Sequence, residues 1–158
     1  MDKHTLLRIS KLHPSVREEV LTIITVCNAS LEGQAKVRIT DGFRNLKEQE
    51  RLYSIGRTAS GKKVTNAQAG RSIHNYGFAV DICLIINNKE ASWDSKKDWD
   101  SDRTADWYEC VKIFAYYGWD WGGNWKTFKD IPHFEKRGFT DWRKLSKMKT
   151  SSDGYIII

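Results

Sequence analysis

Apolar side chains recur at helical spacing at Val16, Val20, Ile23, Ile24 and Cys27, while Pro14-Ser15 with Glu18 and Glu19 supplies a start signal and negative charge at the N-terminal end. This pattern predicts a helix over residues 14–29. Lys36-Val-Arg-Ile-Thr40 alternates polar and apolar positions, as a half-buried strand does, and Asp41-Gly42 ends it. From Leu46 through Leu52 to Ile55 the spacing is helical again and stops at Gly56; the Gly-, Ser-, Thr-, Asn- and Lys-rich residues 57–70 read as an exposed loop. Residues 78–86 are short and rich in β-branched side chains, which predicts a buried strand containing one acid, with Asn87-Asn88 as a hairpin turn into residues 89–93. After a densely charged loop at 94–103, Trp107, Val111, Phe114 and Ala115 form the stripe of a further helix closed by Gly118. Short strands are expected at Trp119–Trp121 and His133–Glu135, separated by Gly122-Gly123, with a small helix from Thr140. Strands and helices alternate without a regular βαβ rhythm, so the expected class is α+β.

The length of 158 residues fits one domain spanning 1–158, with no repeat and no linker. A chain that is 40% hydrophobic and 29% charged, with two prolines, is a globule and not a disordered or fibrous segment. No apolar stretch approaches the roughly 18–20 residues needed to cross a bilayer, and the first twenty residues hold no continuous apolar run. The expectation is a cytoplasmic chain without signal peptide or membrane anchor. Cys27, Cys83 and Cys110 are odd in number, widely spaced and embedded in apolar runs, and read as buried free thiols. A formal charge of +6 attracts an anionic partner: nucleic acid, acidic lipid or cell wall.

Chemistry concentrates in two segments, Ser72-Ile-His-Asn-Tyr-Gly-Phe-Ala-Val-Asp81 and Asp130-Ile-Pro-His-Phe-Glu135. A carboxylate inside Ala79-Val-Asp-Ile-Cys-Leu84 is costly to bury unless paired or bound to a cation. Gly77 permits a turn that brings His74 back toward Asp81, and His133 is a third donor from a distant stretch. Two imidazoles and a carboxylate suit zinc, whose catalytic sites use three protein ligands and leave one position open. Asp130, three residues before His133, is placed to act as base toward a zinc-bound water whose pKa the metal lowers to roughly 7. The bland alternative is that the histidines are hydrogen-bonded core residues and that Asp81 pairs with Arg44. His4 and His13 have no acid at ligand spacing and read as structural or solvated.

These motifs, with Asp41-Gly-Phe-Arg44, Glu48-Gln49, Leu52-Tyr53, Gly56-Arg-Thr58 and Gly118-Trp-Asp-Trp-Gly-Gly-Asn-Trp125, stand in one order over roughly residues 12–137. In that order the chain resembles the zinc D-alanyl-D-alanine carboxypeptidase and L-alanyl-D-glutamate endopeptidase family, which includes phage endolysins and wall-recycling peptidases. The resemblance implies a small antiparallel sheet flanked by helices, the fold shared with hedgehog relatives. It implies Zn2+ held by His74, Asp81 and His133, Asp130 as general base, and Arg44, Gln49 and Ser72 on the substrate. Arg44 suits that role because a guanidinium fork matches the carboxylates of the acidic stem peptide. Asn124 departs from the pattern, since endopeptidase-type members often carry Asp there, and length is a second departure, because many phage members add a wall-binding module whereas residues 138–158 follow the last motif here.

The reading that follows is a zinc metallopeptidase of peptidoglycan, a monomer acting on the wall after release in phage lysis or in wall turnover, with anionic wall polymers as a further partner. The L-alanyl-D-glutamate bond is the expected target, and removal of terminal D-alanine is the alternative. A non-catalytic zinc-containing binding domain is a second alternative. A nucleic-acid-binding domain rests on charge and aromatics alone; neither nucleic acid nor membrane is expected as a partner. Of the seven tryptophans most read as core, with one or two of Trp119, Trp121 and Trp125 walling the cleft. Arg57, Lys62 and Lys63, and the basic run from Lys136 to Lys149, read as a solvated face.

Overall fold

The computed structural model describes residues 1–158. In chain order the elements are α1 (Lys3–Ser10), α2 (Arg17–Ser30), β1 (Ala35–Asp41), α3 (Leu46–Ser54), β2 (Ala79–Ile86), β3 (Glu90–Ser92), α4 (Asp106–Tyr116), β4 (Trp119–Trp121), β5 (His133–Lys136) and α5 (Trp142–Leu145). The class is α+β, as expected, with every strand pairing antiparallel in the order β1-β2-β5-β4. One edge of β2 pairs with β1 along its length. The other is shared: β5 covers residues 79–81 and β3 covers residues 84–86.

β2 is the centre because its sequence is apolar on both faces. Val80, Ile82 and Leu84 are wholly buried, and Asp81 alone in the strand is partly open. A strand covered on both faces reads as a continuous apolar run instead of an alternation. α1 and α2 pack on β1, and α4 packs on β4 and α2. The core between these layers includes Leu12, Val20, Ile24, Phe78, Trp107 and Phe114. Each such side chain removed from water contributes about 1.5–3 kcal/mol before conformational entropy is subtracted. The three cysteines are free and buried, and no helix is long and apolar enough to cross a membrane.

Two local features differ from the sequence expectation. Residues Pro14–Val16 form a 3-10 turn ahead of α2, closed by the Val16 amide donating to the His13 carbonyl at 3.0 Å, and Val16, at φ −115° and ψ −1°, leaves the regular helix to begin at Arg17. α1 was not foreseen. It buries only Thr5 and Ile9, while Leu6 and Leu7 point to solvent, so no apolar stripe marks it. The Asp2 carboxylate caps it, accepting the amides of His4 and Thr5 at 3.0 and 3.2 Å. Elsewhere the hairpin turn falls as expected at Asn87 and Asn88, whose φ values of 51° and 58° are the left-handed pair such a turn demands.

The β1–β2 register shifts between Ile39 and Asp41, and this bulge sets Asp41 opposite Asp81. On its other edge Asp81 is paired directly with His133 of β5. The one acid of the central strand therefore lies where two neighbouring strands deliver polar side chains.

Candidate metal and catalytic site

His74 sits in a 3-10 turn, Ile73–Tyr76, which ends in the left-handed conformation at Gly77, φ 77°. A Cβ at that glycine would lie 2.4 Å from the amide nitrogen of His13, so no other residue fits the close approach. His74 Nδ1 donates to the Gly42 carbonyl at 2.6 Å, which orients the ring and turns Nε2 toward the site. That Nε2 is 3.3 Å from Asp81 Oδ1 and 3.2 Å from His133 Nδ1, and His133 Nδ1 is 3.0 Å from the same Asp81 oxygen. On its far side His133 Nε2 donates to Glu135 Oε2 at 3.3 Å. Each imidazole is thus oriented by an acceptor behind it, with its other nitrogen facing the common point.

This triangle fits zinc. A tetrahedral ion bonded at 2.0–2.1 Å holds its ligand atoms roughly 3.3–3.4 Å apart, close to the three separations observed. The charge also fits. Burial opposes ionisation of Asp81, but the charge of His74 and the hydrogen bonds from both histidines outweigh it and hold the carboxyl well below its usual range. Burial likewise acts to lower the His133 pKa, yet Asp81 and Glu135 raise it to about 9. Two carboxylates therefore make this pocket seek a positive charge.

Asp130 lines the same cleft, which has a volume of about 800 Å³. Its amide donates to the Gly122 carbonyl at 3.1 Å, and its carbonyl accepts the His133 amide at 3.2 Å. A Cβ on Gly122 would lie 2.5 Å from the Asp130 carbonyl oxygen, so glycine there lets the two segments touch. Partial desolvation, then the negative charge of Asp81, raises the Asp130 pKa against the opposing pull of His133, His74 and Arg44. A carboxylate so displaced is suited to taking up and returning a proton.

Arg44 and Ser72 also line the cleft. Arg44 Nε and Nη2 donate to Asp41 Oδ2 at 3.1 and 2.6 Å, and Nη1 donates to Gln49 Oε1 at 2.9 Å. Three of the five guanidinium donors are so engaged, and the side chain is aimed instead of free. Asp81 does not pair with Arg44; its partners are the two histidines. Gln49 is not on the cleft surface. It is wholly buried, and its amide donates to the Ala67 carbonyl at 2.7 Å, so that it ties Arg44 to the 65–67 loop. Ser72 begins the turn that carries His74, its carbonyl accepting the Asn75 amide at 3.0 Å.

Sequence reasoning gave no role to Asp41 or Glu135. Both had a signal: Asp41 precedes Arg44 by three residues, and Glu135 follows His133 by two, the spacing that puts strand side chains on one face. Trp125 packs 5.2 Å from the His133 ring and Trp142 also lines the cleft, whereas Trp119 and Trp121 belong to the core. His13 is structural, its Nε2 donating to the Ile156 carbonyl at 2.9 Å. In the basic clusters Lys136 is paired with Glu19 and Arg137 with Asp120.

Residues 65–136, the stretch that holds both histidines and both acids, match the family model described as D-alanyl-D-alanine carboxypeptidase. The chain belongs to this family. Among its relatives is the peptidoglycan L-alanyl-D-glutamate endopeptidase CwlK of Bacillus subtilis (strain 168), 42% identical over 127 residues that cover 80% of this chain and 74% of the relative. Two solved structures share the fold. The L-Ala D-Glu endopeptidase ChiX of Serratia marcescens superposes with a TM-score of 0.56 at 20% identity, covering 91% of each chain. VanYB in complex with D-alanine-D-alanine gives 0.50 at 12% identity, covering 87% of this chain and 84% of that one.

Proposed function

We propose that this chain is a zinc-dependent peptidoglycan peptidase, a single domain over residues 1–158, that cuts the stem peptide between L-alanine and D-glutamate. The observation that carries the reading is the convergence of His74 Nε2, Asp81 Oδ1 and His133 Nδ1 in a cleft that also holds Asp130. Those three atoms would hold the zinc, which when bound would supply Lewis-acid polarisation of the scissile carbonyl and ease ionisation of water at neutral pH. Asp130 takes the proton of the attacking water and delivers it to the departing amine. Arg44, held by Asp41 and Gln49, meets a substrate carboxylate with its uncommitted donors; Arg71 and Lys129 on the cleft wall add positive charge suited to an acidic peptide. Trp125 shields one side of His133. The choice of bond is supported by the 42% identity to an endopeptidase of that specificity.

The protein acts as a monomer, and its charge of +6 favours adsorption to anionic wall polymers. Digestion of purified peptidoglycan followed by identification of the new terminus tests the reading. The expected product carries an amino-terminal D-glutamate. Release of free D-alanine instead would move the assignment to a carboxypeptidase, and no new terminus at all in the zinc-loaded protein would remove it.

A further inference from the structure

The loop entering α4 carries acids at fixed intervals. Asp98, Asp100, Asp102, Asp106 and Glu109 occupy the first, third, fifth, ninth and twelfth places of a twelve-residue stretch. That is the ligand spacing of a calcium loop running into a helix, in which the sixth place makes a sharp turn and is normally glycine. Here the sixth place is Arg103, and its φ of 79° is the left-handed value such a turn requires. One carboxylate oxygen from each of Asp98, Asp100 and Asp106 lies within 4.8 Å of the others, and the same holds for Asp100, Asp102 and Glu109.

Spacing and proximity alone describe an acidic loop, but two atoms in it point to a ligand. Asp106 is only 1% exposed; its Oδ1 accepts the Trp99 amide at 2.7 Å, while its Oδ2 is buried with no partner. Glu109 Oε1 accepts the Ser30 hydroxyl, and Oε2 is again buried and unpartnered. A buried carboxylate oxygen without a donor is a costly arrangement that a bound cation resolves. No ion pair of the protein reaches any of the five acids, and the Lys97 ammonium lies over the Trp99 ring, 5.3 Å from its centroid. Burial, reinforced by the neighbouring carboxylates, raises the pKa of both Asp106 and Glu109.

We propose that residues 98–109 form a second cation site, for calcium, with Asp98, Asp100, Asp102, Asp106 and Glu109 as carboxylate ligands and the Thr104 carbonyl at the seventh place. An all-oxygen donor set with several carboxylates selects a hard cation, and five carboxylates with a backbone carbonyl match the six to eight oxygen ligands of calcium better than magnesium, which usually takes one or two carboxylates and keeps several waters. The site shares no residue with the histidine triangle and does not depend on the peptidase reading.

Calorimetric titration of the full, zinc-loaded chain with calcium chloride, alongside thermal unfolding, tests it. One ion per chain is expected, with a Kd between about 1 μM and 1 mM, a higher Tm on binding and no release of zinc. Asp100→Asn, in the loop, should weaken binding at least tenfold with an unchanged circular dichroism spectrum. Arg103→Gly keeps every ligand and should tighten it. Absence of saturable binding up to about 10 mM calcium, well above the usual range for such loops, equal affinity in Asp100→Asn, or uptake only with loss of zinc would each overturn the proposal.

Discussion

Asp81 and Asp130 are two carboxylates of one cleft with opposite environments. Two imidazoles hold the first ionised; desolvation and the charge of the first raise the pKa of the second. A ligand needs the former state and a proton carrier the latter. Asp130→Asn should therefore lower turnover of peptidoglycan by about 10²–10⁴-fold while leaving bound zinc unchanged, read by a wall-clearing assay beside metal analysis of the same sample. A variant that lost its zinc in parallel would show that the residue supports the metal and not the proton transfer. The members of the triangle were legible in the sequence because an acid inside an apolar strand and histidines beside glycine or proline are conspicuous. Gln49 was not, since its burial depends on the 65–67 loop folding over α3, a contact that helical periodicity does not report.

Elements with a strong period emerged with nearly the bounds expected from the chain, and β2, a run of apolar side chains between turn residues, is the clearest case. α1 escaped because its inward face is Thr5 and Ile9 while leucines face outward; Asp2 as cap was its one marker. That carboxylate gives the helix a measurable dependence on pH. Burial acts to raise the Asp2 pKa, but the Thr5 amide and hydroxyl and the charge of Arg38 outweigh it, so the folded value lies below the unfolded one. Stability from Asp2 is thus fully present above pH ~4 and is lost as the pH falls through the lower folded value. Asp2→Ala should cost about 1 kcal/mol at pH 7, and urea unfolding of the two proteins should show that difference shrinking below pH ~4. A gap that stayed constant into acid would assign the loss to something other than the cap.

For the molecule as a whole, sequence periodicity reports each segment's faces but not which segments meet. That β5 enters beside β2, and that β3 and β5 divide one edge between them, follows from long-range pairing alone. This pairing places Asp81 opposite His133, 52 residues further along the chain. Zinc held as proposed, by both of these side chains and His74, would be a cross-link as well as a reagent. Such an ion binds the folded chain, where the three donors converge, and not the unfolded one, and so shifts the balance toward the fold whenever metal is present. At a thousandfold excess over Kd the gain is about 4 kcal/mol, or on the order of 10 °C in Tm for a chain of this size. Differential scanning calorimetry before and after chelation should register that drop, and zinc restored to the stripped protein should reverse it. On that reading the ion would be a rivet through the sheet, and a change that expelled it would also loosen the scaffold that aims it.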